Sequence, residues 1–398
     1  MSVSWSNEEI TQFVKQSYEP FRGEERLEIE EIGDGNINYV YRVRSPKGQS
    51  VILKVATGTL RSSGRDLTTD RIHLEVAYLQ RARAVDPDRI PEIFCFDAEK
   101  NAVLMEDIGT HQNLRYALEA ERILPKLPEQ IGRYCAEMAF RTSDLSLSPE
   151  KKKAEDRFFV NPAMCDISED LVFTEPYGDY KGRNRIAGEN DLFIRWLTEQ
   201  DPALLAKIGQ LRFRFMNWHE ALLHGDLHSG SIFVTEDDTK VIDSEFAFYG
   251  PVGYDVGNVV AHFVIAYAAK AWHQHADATF MAWLRRAMEE TIRVFEAHLF
   301  ELMCQTPMLE TQNGLFAAEF IQSIRRDTLA YAGTEIIRRT IGDTKTREIE
   351  LAEQTENGAA FQRQLFLLGR ELVLGSDRYD RAATIAELTE RYFGRGEK

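Results

Sequence analysis

The N-terminal quarter of the chain alternates apolar and polar positions with the period of a β-strand. Short runs of β-branched, aromatic and aliphatic residues are separated by turn formers such as Pro46 and Gly48. The predicted strands lie at residues 27–32, 39–43, 51–55 and 102–105. Because short turns join neighbouring runs, we predict an antiparallel sheet.

The remainder of the chain follows a helical period. From Pro128 onward, apolar residues recur at i, i+3 and i+4, and the charged stretch 149–156 is predicted to be a solvated connection between helices. Long amphipathic helices are predicted at residues 252–269, 276–304 and 315–340. A sheet followed by helices indicates an α+β chain with two lobes, which we divide into residues 1–107 and 108–398.

Three carboxylates lie close together around a predicted hairpin in the second lobe. Residues 232–234 and 240–242 are short β-branched runs joined by a polar turn. Asp226 precedes the first run, while Asp243 and Glu245 follow the second, so the hairpin brings these acids to one edge. Phosphoryl transfer uses such a set, because one carboxylate orients the accepting hydroxyl and others hold magnesium. The sequence therefore predicts a small-molecule kinase.

Zinc is the alternative to weigh at this loop. His224 and His228 have the i, i+4 spacing that zinc hydrolases use on a helix. Gly225 and Gly230 disfavour a helix there, and no general-base glutamate lies between the histidines. We therefore expect His224 to orient the loop through hydrogen bonds.

The first lobe contains a possible nucleotide site. The glycine-containing segment 32–39 is a weak candidate for a phosphate-covering loop, because such segments also form ordinary hairpin turns. Lys54 lies in an apolar strand and needs a partner, and the helix predicted at 70–79 offers Glu75. The strand ending at residues 103–108 is the expected hinge beside the nucleotide base.

Composition limits the partners of the chain. The 398 residues carry a formal net charge of −16, which disfavours non-specific binding to nucleic acid or to an anionic membrane. The four cysteines are widely spaced, and the apolar run 259–272 is too short for a membrane span. The N-terminus has no secretory pattern, so we expect a cytoplasmic protein with reduced thiols.

With these residues in place, the chain resembles the methylthioribose kinases, within the wider group of aminoglycoside and choline kinases. The shared blocks are residues 31–36, 105–107, 161–162, 165–167, 172–174, 224–231, 242–250 and 337–342. The resemblance extends over roughly three quarters of the chain. It implies a bilobal protein-kinase-like fold, with a small antiparallel β-sheet lobe and a large, mainly α-helical lobe.

The resemblance also implies a reaction: ATP-dependent phosphorylation of the anomeric hydroxyl of 5-methylthioribose, an intermediate of methionine salvage. In that family the residue matching Asp226 contacts the sugar and serves as base, the arginine pair matching Arg338 and Arg339 lies at the sugar site, and the enzyme is a homodimer. The residues matching Asp243 and Glu245 hold Mg²⁺. The nucleotide-binding candidates are Asn38, Lys54, Glu75, Met105, Glu106, Asp107, Asp243, Ser244 and Glu245.

Two positions depart from related patterns. Ser231 stands where protein kinases have a metal-binding asparagine, so we expect Glu245 to complete the metal site and count Ser231 among its candidates. Ser244 stands where proline is expected.

By sequence logic alone, Arg338 and Arg339 equally suit the last turn of a helix, where positive charge is favourable.

Other interpretations stay open on the sequence. The acceptor could be another 5-substituted or 5-deoxy pentose. The chain could instead be a pseudokinase that binds nucleotide without turnover, or an aminoglycoside-modifying enzyme with an acidic acceptor surface.

Overall fold

The N-terminal part of the chain folds as an antiparallel sheet with one helix on each face. The computed structural model describes residues 5–32, 38–58, 69–273, 276–311 and 313–394. Within them, the five strands of this sheet are β1 (Glu28–Glu31), β2 (Asn38–Arg44), β3 (Ser50–Ala56), β4 (Ile93–Asp97) and β5 (Ala102–Glu106), in the order β1-β2-β3-β5-β4. The helices are α1 (Asn7–Ser17) and α2 (Asp70–Val85). The four predicted strands and the helix at 70–79 are confirmed, and β4 is an addition.

Alternation along β3 decides which residues meet which helix. Odd positions such as Leu53 and Val55 pack in a buried cluster with Phe13 and Val14 of α1. Even positions face α2, and Ile52 packs there with Val76. Lys54 shares that face, because side chains two residues apart point to the same side of a strand. The strand period therefore delivers this lysine to α2.

The C-terminal part is mainly helical. Its helices within the described residues are α3 (Leu114–Glu119), α4 (Leu127–Arg141), α5 (Pro149–Phe158), α6 (Pro162–Ser168), α7 (Glu175–Gly178), α8 (Asp191–Glu199), α9 (Pro202–Asn217), α10 (Gly253–Trp272), α11 (Ala278–Cys304), α12 (Leu315–Ile341), α13 (Arg347–Glu353), α14 (Gly358–Gly375) and α15 (Thr384–Phe393). A π-helix spans Glu169–Thr174, and 3₁₀ turns lie at Glu19–Phe21, Gly188–Asn190, Leu309–Thr311 and Ser376–Arg378. The predicted long helices are thus confirmed.

Short strands hold the loops between these helices. They are β6 (Gln112–Asn113), β7 (Ala221–Leu223), β8 (Ile232–Val234), β9 (Thr239–Val241) and β10 (Phe248–Gly250). The predicted hairpin is confirmed as β8 and β9, which pair antiparallel with Phe233 opposite Lys240, while β7 pairs with β10. Asp226 therefore follows β7, and Asp243 follows β9.

Three sequence predictions need comment. The prediction of a solvated connection at 149–156 is wrong, because this stretch forms most of α5, where Ser148 caps the helix and Pro149 occupies its first turn. The predicted glycine segment falls mainly on residues 33–37, outside the described residues. The division after residue 107 stays a prediction; β5 ends at Glu106, yet the apolar core beneath α2 continues into the helical part.

Helix α10 is the central helix of the C-terminal part. All its residues from Gly253 to Ala269 are buried, which explains its almost continuous apolar sequence. In the described part of the chain, no helix is both long and apolar enough to cross a membrane. The four cysteines are free thiols.

Glycines let α10 and α14 approach α12 closely. A Cβ on Gly257 would lie 2.7 Å from the carbonyl oxygen of Thr328, and Gly253 meets the same turn of α12. On the other side of α12, a Cβ on Gly333 would lie 2.5 Å from the carbonyl oxygen of Gly369 in α14. The lack of side chains at these positions fixes the place of α12 between its two neighbours.

We expect Gly257→Ala to destabilise the protein by about 1–3 kcal/mol, because the added methyl group overlaps the backbone of α12. Gly209→Ala is the matched control, since Gly209 lies in helix α9 with nothing within 4 Å of its added Cβ. The control should be neutral or stabilise by up to about 1 kcal/mol. Thermal unfolding followed by circular dichroism measures both, and equal effects would contradict the close-packing argument.

Candidate active site

A cleft of about 430 Å³ lies between the α2 face of the sheet and the β8–β9 hairpin. This volume is in the range of small-molecule sites. Most of the predicted nucleotide-binding residues line it: Asn38, Lys54, Glu75, Met105, Glu106, Asp107, Asp243 and Glu245. The structure thus brings together residues that are far apart in the chain.

Lys54 joins the two sides of this cleft. Its Nζ lies 2.7 Å from Glu75 Oε1 and 2.7 Å from Asp243 Oδ1. Burial opposes its charge, but the attraction of Asp243, Glu75 and Glu245 raises the pKa of Lys54. The Lys54 ammonium in turn lowers the pKa of Asp243, whose side chain is 52% exposed toward the cleft. The predicted lysine–glutamate pair is present, and Asp243 extends it.

Glu245 is held by a second buried cation, Arg71. Arg71 Nε lies 3.3 Å from Glu245 Oε2, and Asn38 Nδ2 donates to the same oxygen at 3.5 Å. Arg71 Nη2 also donates to Asn38 Oδ1 at 3.0 Å. Burial and the nearby Asp243 carboxylate raise the pKa of Glu245 to about 7. Arg71 and Glu75 are one helical turn apart, so α2 contacts both acids of the Asp-x-Glu segment, directly or through Lys54.

The strand end predicted to be a hinge uses its carboxylates for protein contacts. Asp107 accepts hydrogen bonds from Arg42 Nε at 2.7 Å, Ser50 Oγ at 2.7 Å and the Gly109 N–H at 2.9 Å. Glu106 Oε2 accepts from the Glu92 N–H at 3.0 Å. These two side chains therefore shape the edge of the cleft.

The loop after β7 is fixed by backbone contacts. Gly225 has φ +82°, and a Cβ there would lie 2.2 Å from the carbonyl oxygen of Phe246. Asp255 of α10 accepts the N–H groups of His224 and Gly225 at 2.6 and 3.0 Å. His224 Nε2 lies 2.9 Å from the Ile242 carbonyl oxygen, as expected of a donor that orients the loop. These contacts place Asp226 beside the segment that carries Asp243.

Asp226 lies next to one of the two predicted arginines. Its Oδ1 is 3.4 Å from Arg338 Nη2, and its Oδ2 is 3.4 Å from His228 Nε2. Burial opposes ionisation, but His228, Arg338 and Arg339 together lower the pKa of Asp226. Asp226 is not among the residues that line the cleft, although its side chain is 26% exposed.

Glu335 organises the arginine pair. Arg338 Nε and Arg339 Nε each bond to one of its carboxylate oxygens, and the Arg339 contact is 2.8 Å long. Arg339 Nη1 donates to the carbonyl oxygen of Thr344, away from Asp226. The structure therefore distinguishes the two arginines: Arg338 contacts Asp226, whereas Arg339 contacts Thr344.

Ser231 and Ser244, the two serines that depart from related sequence patterns, are both buried. Ser231 Oγ donates to the Asp226 carbonyl oxygen at 3.0 Å and is 3.3 Å from His228 Nδ1. Ser244 is fully buried, and its hydroxyl has no hydrogen-bond partner among the described residues. Neither serine lines the cleft. In the described ranges, no group of three or more histidine, cysteine or acidic side chains is arranged to hold a metal ion.

Comparison with known proteins identifies the family. Residues 28–291 match the model of the APH phosphotransferase enzyme family. A methylthioribose kinase of Yersinia pseudotuberculosis serotype O:1b (strain IP 31758) is 36% identical over 361 residues, which cover 88% of this chain and 87% of that protein. The chain belongs to the methylthioribose kinase family. The methylthioribose kinase of Pectobacterium atrosepticum is likewise 36% identical over 356 residues, covering 87% of this chain and 88% of its own.

A solved structure supports the fold of this methylthioribose kinase family member. The choline kinase of Cryptosporidium parvum Iowa II superposes with a TM-score of 0.50 at 11% identity, covering 92% of this chain and 95% of that chain. The predicted α+β, bilobal kinase-like fold is confirmed.

Sequence reasoning missed several residues that position this site. Arg71, Asp255 and Glu335 are each nearly buried charges, and each bonds to a predicted site residue or its loop. Asn161 donates from Nδ2 to the carbonyl oxygens of Glu245 and Ala247 at 2.9 and 3.0 Å. The available signal was a single charge in an otherwise uncharged run, as for Glu335 within residues 328–337.

We expect His262 to contribute a loss of stability as the pH is lowered from about 6.5 to about 4. Burial lowers the pKa of His262 to about 4, whereas an unfolded histidine titrates near 6.5. In that window His262 of the unfolded chain binds a proton that the folded chain does not, so this residue lowers the free energy of unfolding by up to about 1.4 kcal/mol per pH unit. Urea unfolding at several pH values should give a smaller slope for His262→Gln, and an unchanged slope would contradict this origin.

Proposed function

We propose that the protein is an ATP-dependent kinase that phosphorylates the anomeric hydroxyl of 5-methylthioribose, a step of methionine salvage. Membership in the methylthioribose kinase family supports the reaction class and the acceptor. The observation that carries the proposal is Lys54, which bonds to both Glu75 and Asp243 at the cleft while Asp226 lies beside Arg338. In the first arrangement Lys54 is available to bind the phosphates of ATP, and in the second Asp226 is available as the base for the acceptor hydroxyl.

In this proposal the cleft binds ATP. Lys54, oriented by Glu75, contacts the phosphates, while Asn38 and the segment from Met105 to Asp107 border the nucleotide. Since the carboxylates of Glu106 and Asp107 already bond to the protein, we assign them to the shape of the cleft. Ser244 contributes through its position in the chain, because its side chain is buried.

Asp243 and Glu245 fit a magnesium ion. Both are carboxylates that line the cleft, and Mg²⁺ in kinases takes one or two carboxylates together with phosphate oxygens and water. When bound, the ion would neutralise charge on the phosphates. The Ser231 hydroxyl already bonds within its own loop, so we propose that Asp243 and Glu245 are the main protein ligands.

Asp226 is the proposed base. Its lowered pKa keeps it ionised at neutral pH, so it can accept the proton of the sugar hydroxyl as that oxygen attacks the γ-phosphorus and the bond to ADP breaks. Arg338, in contact with Asp226, is placed to bind the sugar or the transferred phosphoryl group. We assign Arg339 the lesser role, since it turns toward Thr344.

The alternatives fit the geometry less well. A pseudokinase would not need the complete set of Lys54, Glu75, Asp226, Asp243 and Glu245. An aminoglycoside-modifying enzyme would need an acidic site for a polycation, whereas the residues around Asp226 include two arginines. Another 5-substituted or 5-deoxy pentose is the second candidate acceptor.

A cytoplasmic location and a homodimer stay predictions.

The first experiment is ADP release by the purified protein with Mg-ATP and a panel of acceptors. We expect turnover with 5-methylthioribose, at least about tenfold slower turnover with 5-deoxyribose, and little with ribose or kanamycin, since an apolar 5-substituent pocket discriminates by about 1–3 kcal/mol. Preference for 5-deoxyribose would move the function to the second candidate. Turnover with kanamycin would contradict the proposal, and so would a lack of turnover with every acceptor of the panel.

Substitution of the two aspartates separates their roles. Asp226→Ala should reduce kcat by at least about 10³-fold while ATP binding stays within about twofold, because the base is lost and the phosphate contacts remain. Asp243→Ala should also weaken Mg-ATP binding, which titration calorimetry measures. If the Asp226 variant turned over normally, another residue would have to be the base.

A further inference from the structure

We infer that Glu335, held by His262, is a positioning residue that sets Arg338 on Asp226; this inference rests on the proposed role of Asp226. Glu335 is 1% exposed and lies on α12, one turn before the arginine pair. Its carboxylate receives three donors, from Arg338, Arg339 and His262. None of these contacts involves the nucleotide cleft.

The hydrogen bonds fix the proton on His262. Glu335 Oε1 lies 3.1 Å from His262 Nε2, and a carboxylate only accepts, so Nε2 carries the hydrogen. Burial lowers the pKa of His262 to about 4, so the ring is neutral at pH 7 and its Nδ1 accepts from the Ser229 hydroxyl, which is 2.8 Å away. Ser229 belongs to the loop of Asp226. His262 therefore joins this loop to Glu335 through one neutral imidazole.

The carboxylate also sets the direction of both guanidinium groups. Each arginine points its Nε toward Glu335, which leaves the Nη atoms for other acceptors. Arg338 Nη2 then reaches Asp226, while Arg339 Nη1 is used by the Thr344 carbonyl oxygen. An amide in place of this carboxylate has only one accepting oxygen, so it cannot hold both arginines in these positions.

The test compares two buried ion pairs on the same helix. Glu335→Gln removes the charge under the arginines. Asp327→Asn is the matched control, since Asp327 is also nearly buried on α12 and pairs with Arg214, away from the site. Both variants should lower the melting temperature. Only Glu335→Gln should lower kcat, by about 100-fold, with the Kd of ATP unchanged within about twofold.

His262 gives a milder pair of variants if Glu335→Gln does not fold. In His262→Gln, the new side-chain amide nitrogen can occupy the place of imidazole Nε2 and still donate to Glu335. The side chain introduced by His262→Asn is too short to do so, although its oxygen can accept from Ser229. We expect the glutamine variant to stay within about threefold of wild-type kcat and the asparagine variant to lose about tenfold.

A double mutant then tests whether Glu335 acts through Arg338. If it does, Glu335→Gln combined with Arg338→Lys should lose no more kcat than the worse single variant. Additive losses, or equal kcat in the Glu335→Gln and Asp327→Asn variants, would overturn the inference.

A measurement without substrate separates this inference from the proposed function. The Nε–H signals of Arg338 and Arg339 in a ¹⁵N–¹H correlation spectrum can be assigned by their loss in the lysine variants. Glu335→Gln should shift both signals, and Asp327→Asn neither. If the wild-type protein turned over no acceptor while Glu335→Gln still shifted both signals, the proposed function alone would be refuted. If Glu335→Gln left both signals unshifted, the role of Glu335 would be refuted.

Discussion

Compensation of buried charge is the constraint on which the site depends. Ions removed from water need partners of opposite sign, and here they form two clusters. The first joins Lys54 and Arg71 to three carboxylates, so among the described residues it has one more acid than base. The second balances Arg338 and Arg339 against Asp226 and Glu335. Burial and the neighbouring carboxylates raise the pKa of Glu245. The surplus of acid in the first cluster suits a cation, whereas the balanced second cluster suits a neutral acceptor.

The charges can be matched only because the helices that carry them are tightly placed. Helix α12 lies against α10 and α14 at glycines, where backbone meets backbone. Its buried last turns therefore hold the arginines in a defined position, and α10 supplies His262 and Asp255 from the opposite side. Helix α2 likewise holds charges of the first cluster in defined positions, because it carries Arg71 and Glu75 one turn apart. Packing and electrostatics thus act on the same elements.

The features that depend on local pattern could be predicted from the sequence. Alternation in β3 placed Lys54 on the face toward α2, and the polar turn between two β-branched runs predicted the β8–β9 hairpin. Local pattern did not reveal partners that are distant in the chain, such as Arg71 for Glu245 or Glu335 for the arginine pair. Helix α5 was missed because its charged residues resemble a solvated loop, although Lys152 is buried over the Tyr249 ring. Asp107 was predicted as a nucleotide-binding residue and lines the cleft, but the bonds of its carboxylate to Arg42 and Ser50 are tertiary contacts that no periodicity encodes.

The proposed metal site illustrates how one substitution constrains others. An asparagine at position 231 would have a longer side chain than Ser231, whose hydroxyl instead bonds to the Asp226 carbonyl oxygen and shapes the loop. Because the Ser231 hydroxyl bonds within its own loop, we propose that the metal ligands are Asp243 and Glu245, which lie two residues apart in one segment. Two carboxylates so close repel each other, so each is stabilised by a cation of the protein, and Lys54 and Arg71 fill these places. Arg71, which no local pattern singles out, is therefore the cation that compensates the buried charge of Glu245.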